Sequence, residues 1–248
     1  MHALLLALSL LPQIQADAEV AHYPGLGPLR GTIRLGVELQ VVRGDGWHLD
    51  IWTDAVSFVR KNRDNESPVR ISPQQIWYPV GARLRFDLGE DQAWGLFAFH
   101  QSNHDIDSAD VAQARETVAY EIYGAEYLRP HLHVHGGLYY DRGTRLSGRP
   151  QTLPFDYYLL GGTVAGDWPF TDRWYTAGQL TLIGHLNADH APPHLNVAGH
   201  LDLGAWWQGE VGVIRTFLRA QRVEDYQRLG DDPVHMLLLG VGIGSRLR

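Results

Sequence analysis

The chain contains no cysteine among its 248 residues. This absence excludes disulfides, thiolate metal sites and a cysteine nucleophile. Lys and Arg total 21 against 28 Asp and Glu, which gives a formal net charge of −7. The chain therefore lacks the basic surface that nucleic-acid binding requires, and we expect no nucleic-acid partner. It also lacks any apolar run of the roughly eighteen residues that a transmembrane helix needs.

The first residues have the composition of a targeting segment. The apolar run 3–11 is too short to cross a bilayer as a helix. It is followed by Ala16-Asp17-Ala18, which matches a small-x-small cleavage site. We therefore predict a signal peptide over residues 1–18, cleaved after Ala18, and a single domain over residues 19–248.

Apolar and polar residues alternate over much of the chain, which also contains 27 Gly, 8 Trp and 11 Tyr. In residues 76–88 the even-numbered positions are apolar, whereas Arg83, Arg85 and Asp87 share the opposite face. We count eleven such segments of roughly 11–14 residues, whereas typical strands have about five or six. Short turns alternate strictly with long loops, as they do in outer-membrane barrels.

The pattern predicts an all-β fold, an antiparallel transmembrane β-barrel of about 10–12 strands. Since such barrels have an even number of strands, either residues 19–29 supply a twelfth strand or the count is one too high. A soluble β-sandwich or lipocalin-like barrel would explain the alternation but not the strand length. The inward positions carry charges of both signs, which predicts an occluded, ion-paired lumen: Arg34, Glu38, Asp50, Arg83, Arg85, Glu121, His133 and Asp202.

Candidate catalytic residues lie in the stretch 97–105, where a strand runs into an acidic loop. His100 and Ser102 share a strand face, so the imidazole can act as base toward the hydroxyl. A third group must orient the imidazole, and our candidate is Glu116 at the start of the next strand. The backbone N–H of Asn103 is the candidate oxyanion donor. The alternative is that these polar residues merely mark a strand end at the water interface.

His100-Gln101-Ser102-Asn103 at the outer end of a strand resembles the outer-membrane phospholipase A family, in which a His-x-Ser-Asn stretch supplies base and nucleophile. It also resembles the lipid A deacylases, which use His-x-Ser plus a glutamate. A third resemblance covers more of the chain. The tracts 78–107, 115–140 and 224–247 resemble the DUF1207 group of barrel proteins, which has a His-x-Ser-Ser-His loop.

The chain departs from these families at two points. In both lipase families the third residue lies fourteen positions after the histidine, where this chain has Ala114, and Glu116 lies two residues later. The last residue is Arg248 instead of the terminal Phe of most outer-membrane barrels. The phospholipase family uses calcium, and hard oxygen ligands are available in the acidic loop. The predicted calcium ligands are Asp105, Asp107 and Asp110.

Two functions follow from these patterns. The first is a serine-type hydrolase of lipid acyl esters in the outer membrane of a Gram-negative bacterium, with phospholipid or lipid A as partner and calcium as cofactor. The resemblance also allows a homodimer. The second is a non-catalytic outer-membrane barrel with an occluded lumen and a structural, adhesion or assembly role. A small-solute channel is a third alternative.

Overall fold

A computed structural model of the chain describes residues 13–24, 29–61, 71–89, 91–105, 117–141, 158–185, 195–210, 212–223 and 234–245. Among these residues, no helix has the length and hydropathy needed to cross a bilayer. The described residues form twelve strands: β1 (Gln13–His22), β2 (Leu29–Gly44), β3 (Trp47–Lys61), β4 (Ile71–Gly89), β5 (Gln92–Asp105), β6 (Thr117–Arg129), β7 (Leu132–Asp141), β8 (Tyr158–Pro169), β9 (Trp174–His185), β10 (Leu195–Gln208), β11 (Val213–Val223) and β12 (Val234–Gly244).

The strands form one closed antiparallel barrel in which each strand pairs with its neighbours in sequence. Strand β1 closes the barrel by pairing with both β2 and β12. The strands have 10 to 19 residues, which is long enough to cross a bilayer at the usual tilt. This architecture confirms the predicted all-β transmembrane barrel, with the even strand count that the fold favours.

The exterior is apolar because alternate residues of each strand point outward. In β12, Leu237, Leu239 and Val241 are 51%, 65% and 52% exposed, whereas Leu238, between the first two, is fully buried. Exposed aromatic side chains lie near the short turns, as in the girdles of membrane barrels: Trp94, Trp168, Phe170, Trp174 and Trp207. An apolar band of this kind on a closed barrel is the surface that lipid covers.

The twelfth strand is β1, and it begins at Gln13, six residues before the predicted domain start at Glu19. Its residues 13–22 pair with β2, and Asp17 to His22 pair with β12. Cleavage after Ala18 would remove the first six residues of this strand. The cleavage itself stays a prediction.

The two ends of the barrel differ in their connections. At the short-turn end, β2–β3, β4–β5, β6–β7, β8–β9 and β10–β11 are joined by two to four residues. Both Gln13 at the start of β1 and Gly244 at the end of β12 lie at this end. The opposite end, here the long-connection end, holds the longer connections, such as residues 106–116 between β5 and β6.

Several groups of ion pairs among the described residues line the lumen, and two of them are large. The Arg85 cluster consists of Glu38, Asp50, Arg83, Arg85, Glu126 and His133. Within it the Arg85 guanidinium lies 2.8 Å from both Glu38 and Glu126 and 3.1 Å from Asp50. The Arg219 cluster consists of Glu19, Asp202, Arg215 and Arg219. These pairs confirm the inward position of most predicted lumenal charges.

Apolar side chains fill further parts of the lumen. One group packs across β5 to β10: Phe97, Phe99, Tyr120, Ile122, Tyr139, Ile183 and Ala198, with Trp52 against it. A second group packs where β1, β3, β11 and β12 approach each other: Ala21, Phe58, Phe217, Val223, Met236 and Leu238. A cavity of about 360 Å³ remains between these groups and the ion pairs. This filling supports the predicted occlusion, which stays a prediction until conductance is measured.

Glycines in β12 leave space on the lumenal side of this strand, so side chains of its two neighbours, β11 and β1, can meet over it. A Cβ atom on Gly240 would overlap the Phe217 ring, and one on Gly242 would lie 2.7 Å from Arg215 Nε. Because these lumenal positions carry no side chain, Arg215 and Arg219 reach Glu19 over β12. The seam between β1 and β12 has only six residue pairs.

Candidate functional site

His100 and Ser102 lie on the outward face of β5, in its half toward the long-connection end. The lower part of the same face carries Trp94 and Leu96, which are 39% and 50% exposed, whereas Phe97 and Phe99 point inward and are buried. The predicted shared face of His100 and Ser102 is therefore the lipid-facing one.

The imidazole of His100 is held by a carboxylate on β6. His100 lies directly opposite Glu121 in the β5–β6 ladder. The His100 Nδ1 atom and the Glu121 Oε1 atom are 3.1 Å apart, and both side chains are partly exposed. If Nδ1–H donates to this carboxylate, Nε2 is left as an acceptor. This is the orientation that a base needs when its nucleophile lies on the other side of the ring.

Ser102 is 1% exposed although it lies on the outward face. Its Oγ atom makes no hydrogen bond to any described residue, so the contact with His100 is not formed in this structure. Tyr78 lies directly opposite Ser102 in the β4–β5 ladder. The Tyr78 ring stacks on His104 with a centroid distance of 5.3 Å. Because Ser102 is covered in this structure, a substrate can reach its hydroxyl only after a local rearrangement.

The height of these groups can be estimated from strand geometry. His100 follows Trp94 by six residues and Ser102 follows it by eight. At about 3.3 Å per residue and a tilt of about 40°, His100 lies about 15 Å and Ser102 about 20 Å above the aromatic girdle. The apolar band of such barrels is about 25 Å tall. Ser102 therefore lies about 5 Å below the upper edge of the band, near the depth of lipid ester groups, and His100 lies about 10 Å below that edge.

Several predicted site residues lie outside the described residues. They are Glu116, Asp107 and Asp110, and only the backbone of Asp105 is described. Their predicted roles are neither supported nor opposed by the geometry. Asn103 is described, and its side chain is buried on the lumenal face of β5. Its backbone lies inside the ladder between Trp77 of β4 and Val118 of β6, so its N–H points along the sheet instead of outward.

The predicted orientation of β6 is wrong by one residue. We expected Tyr120 and Ile122 to face outward and Glu121 to face the lumen. In the structure Tyr120 and Ile122 are buried in the lumenal apolar group, whereas Tyr123, two residues from Glu121 on the same face, is 56% exposed. Glu121 is thus the functional candidate that the sequence reasoning missed. The usable signal was the strand register, because Glu121 is the residue that faces His100.

Among the described residues, no group of three or more His, Asp or Glu side chains is placed to hold a metal ion. His131, which alternates with His133 and His135 in the sequence, lies in the β6–β7 turn with φ of 63° and pairs with Asp167 at 3.1 Å. His133 Nε2 instead lies 2.9 Å from the Glu126 carboxylate, to which its N–H donates. His131 and His133 therefore pair with different carboxylates.

No family model matches this chain, and no curated protein matches it. Its fold is similar to that of solved outer-membrane barrels. Outer membrane phospholipase A from Escherichia coli is 11% identical, with 93% of this chain and 92% of that chain covered and a TM-score of 0.49. A KdgM porin is 10% identical, with coverage of 94% and 99% and a TM-score of 0.44. The translocator domain of autotransporter NalP from Neisseria meningitidis is 13% identical, with coverage of 95% and 88% and a TM-score of 0.40.

Proposed function

We propose that this protein is an outer-membrane barrel that hydrolyses acyl esters of membrane lipids, with Ser102 as nucleophile, His100 as base and Glu121 as the group that orients His100. One observation carries the proposal. On the lipid-facing surface His100 Nδ1 is hydrogen-bonded to Glu121, and an unpartnered serine hydroxyl lies two residues away on the same face. Glu121 thus takes the role that we first assigned to Glu116.

The location of this pair is costly for a purely structural role. Ionisable side chains on the lipid face of a barrel destabilise it, and the cost increases toward the midplane. A pair about 15 Å above the girdle is still within the apolar band. At that depth a carboxylate and an imidazole face lipid chains and ester groups, so a lipid is the substrate they can reach.

The proposed reaction is acyl transfer through a covalent intermediate. The Ser102 Oγ atom forms a bond to the ester carbonyl carbon while its proton passes to His100 Nε2. The carbonyl π electrons move to oxygen. They return when the bond to the alcohol breaks, and His100 gives its proton to that alcohol. Water then attacks the acyl-serine by the same steps, which releases the fatty acid and restores Ser102. The Glu121 carboxylate stabilises the imidazolium throughout.

Activity requires a local rearrangement at Ser102. Ser102 is buried, and Tyr78 lies directly opposite it in the β4–β5 ladder. Catalytic hydrogen bonds are often absent in the unliganded enzyme and form in the substrate complex. We propose that an entering acyl chain turns the Ser102 hydroxyl toward His100 while the Tyr78–His104 stack stays in place.

The remaining assignments belong to the same proposal. The apolar exterior and the position of both described ends at the short-turn end fit a barrel of a Gram-negative outer membrane, with the long connections outside. The partner is an outer-leaflet lipid, either phospholipid or lipid A. Calcium is proposed at Asp105, Asp107 and Asp110, where it would supply a positive charge near the scissile ester.

The test is lipid hydrolysis by refolded protein in vesicles, with phospholipid and lipid A as separate substrates and with calcium or chelator. Ser102→Ala and His100→Ala should each lower kcat by at least about 10³-fold. Glu121→Gln should lower it by about 10²- to 10⁴-fold. Thr53→Ala is the matched control, because Thr53 presents a hydroxyl on the exterior level with His100, two strands away.

The outcomes separate the proposal from its competitors. If Ser102→Ala hydrolyses lipid as fast as the unmodified protein, the nucleophile is wrong. If Glu116→Gln loses activity and Glu121→Gln does not, Glu116 and not Glu121 is the group that orients His100. Heat-modifiable migration on gels verifies that every variant is folded.

A non-catalytic barrel with a closed lumen is the second candidate function. It is favoured by the absence of a Ser102 hydrogen bond and by the packing of the lumen with apolar groups and ion pairs. Under this alternative no lipid is hydrolysed, and the exterior His100–Glu121 pair has a structural role or contacts a partner protein. Absence of turnover on both lipids, with and without calcium, would favour it.

A further inference from the structure

His104 is a second ionisable group on the outward face of β5, after His100, and the mechanism above does not use it. It follows Ser102 by two residues, so the two histidines flank the serine along one strand face. Neighbours on one face of a strand are about 7 Å apart at their Cα atoms, which is within reach of an imidazole. The His104 Nε2 atom is buried and has no hydrogen-bond partner among the described residues.

The tetrahedral intermediate requires a donor that points to the outward side of Ser102. The backbone N–H of Asn103 lies within the ladder between β4 and β6, and its side chain faces the lumen. Neither group can approach an oxygen on the exterior without breaking the sheet. The donor must therefore come from an outward side chain next to Ser102 or from outside the described residues.

We propose that His104 is a catalytic residue whose Nε2–H donates a hydrogen bond to the oxyanion formed when Ser102 attacks a lipid ester. This inference rests on the hydrolase function proposed above. A hydrogen-bond donor that is already oriented and has no other partner stabilises charge that develops in the transition state without first losing another bond. An unpartnered buried polar atom is otherwise destabilising, which calls for a role.

The surroundings of His104 favour a fixed orientation. Its ring stacks on Tyr78 with an angle of 14° between the planes. Tyr78 lies across the ladder from Ser102, so the stack holds the imidazole beside the nucleophile. His100 has its Nδ1 atom bound to Glu121 and serves as base. The two histidines therefore have different partners, a carboxylate for the base and an aromatic ring for the donor, and this difference sets their roles.

The experiment compares His104→Leu and His104→Gln in the refolded full-length protein. Leu removes the donor, whereas Gln keeps an N–H that can reach the same region. His104→Leu should lower kcat by about 10²- to 10³-fold with little change in KM. His104→Gln should recover part of this loss. His22→Leu is the control, because His22 is an exposed exterior histidine of β1 at the same end of the barrel.

A second measurement separates oxyanion binding from a structural role. A trifluoromethyl ketone analogue of a lipid forms a bond to Ser102 Oγ and thereby acquires an alkoxide, whereas an ether-linked lipid does not. His104→Leu should weaken binding of the ketone by a factor similar to its loss of kcat, and it should leave binding of the ether lipid unchanged. Equal weakening of both ligands would indicate a structural role and would overturn the inference.

The two proposals fail separately. If the unmodified protein hydrolyses lipid, Ser102→Ala is inactive and His104→Leu retains full kcat, the hydrolase stands and the role of His104 is wrong. If the unmodified protein hydrolyses neither lipid, the proposed function fails and the role of His104 fails with it. Loss of kcat in His104→Leu with partial recovery in His104→Gln supports both.

Discussion

Replacing Arg219 with methionine tests whether the lumenal ion pairs hold the barrel together. Arg219 donates two hydrogen bonds to Asp202, at 2.7 and 2.8 Å, and also contacts both oxygens of Glu19. The side chains of Glu19 and Asp202 are 1% and 3% exposed. Removing the cation leaves two buried carboxylates, of which only Glu19 keeps an arginine, Arg215 at 3.1 Å. Breaking a buried pair in this way costs about 3–5 kcal/mol.

Arg34→Met is the matched control for this substitution. Arg34 also pairs with two carboxylates of the lumen, Asp54 at 2.7 Å and Asp17 at 3.5 Å, but its side chain is 37% exposed. Asp17 is 37% exposed and can be solvated by water, whereas Asp54 is 13% exposed, so we expect a smaller loss than that of Arg219→Met, which leaves two carboxylates that are each at most 3% exposed. The assay is urea unfolding in lipid vesicles, followed by tryptophan fluorescence, with the free energy of unfolding taken from the midpoint and slope.

A third variant completes the test. Glu19→Gln, Asp202→Asn and Arg219→Met together remove all three charges, so no carboxylate is left buried without its cation. This triple variant should recover most of the stability lost by Arg219→Met alone. Equal reductions in the free energy of unfolding for Arg219→Met and Arg34→Met would refute the expectation that burial determines the contribution of these pairs.

Three further predictions follow from the fold. In planar bilayers the protein should give no large stable conductance steps, because apolar groups and ion pairs fill the lumen, and such steps would contradict an occluded barrel. Gly240→Ala should lower the free energy of unfolding by about 1–3 kcal/mol, since its Cβ would overlap the Phe217 ring, and adding Phe217→Leu should restore part of it. A chain that begins at Gln13 should refold to a heat-modifiable barrel, and one that begins at Glu19 should do so less efficiently because it lacks six residues of β1. Mass spectrometry of the mature protein then shows which start is used.

The sequence is sufficient to predict the barrel class and the faces of several strands. In residues 76–88 of β4 every second residue is apolar, while Arg83 and Arg85 occupy the other face, so the side that meets lipid is unambiguous. In β12 the glycines lie at lumenal positions, and Val241 and Ile243 alternate with them on the exposed face. Alternation is informative wherever one face is apolar and the other is polar.

For β6 this rule does not decide which residues face the lumen and which face lipid. Tyr120 and Ile122 face a lumen that is itself filled with apolar side chains, whereas Tyr123 and Tyr127 face lipid. Both faces of this strand are therefore apolar, and alternation of hydropathy no longer distinguishes inside from outside. Glu121 was placed in the lumen for that reason. Only the register of β6 against β5 identifies it as the partner of His100.

The sequence offered residues 19–29 as a possible twelfth strand, whereas the structure has it at Gln13–His22, where alternation is also visible. Ile14 and Val20 lie on one face of β1 and are exposed, whereas Glu19 lies on the opposite face and is buried. The small residues Ala16 and Ala18 belong to the outward face of the strand and also satisfy the pattern of a cleavage site. One set of residues thus fits two interpretations, and the pairing with β2 and β12 is not visible in the sequence.

The lack of side chains at Gly240 and Gly242 on the lumenal face of β12 has a consequence for how the barrel opens. The seam between β1 and β12 has six residue pairs, fewer than the other pairs of neighbouring strands. The carboxylate of Glu19 nevertheless reaches over β12 to Arg215 and Arg219 of β11. Separating β1 from β12 therefore also separates the buried Glu19 carboxylate from two arginines. The free-energy cost of breaking these ion pairs is met in a single step. We expect this seam to stay shut until it opens cooperatively, instead of fraying residue by residue as a short strand pair would.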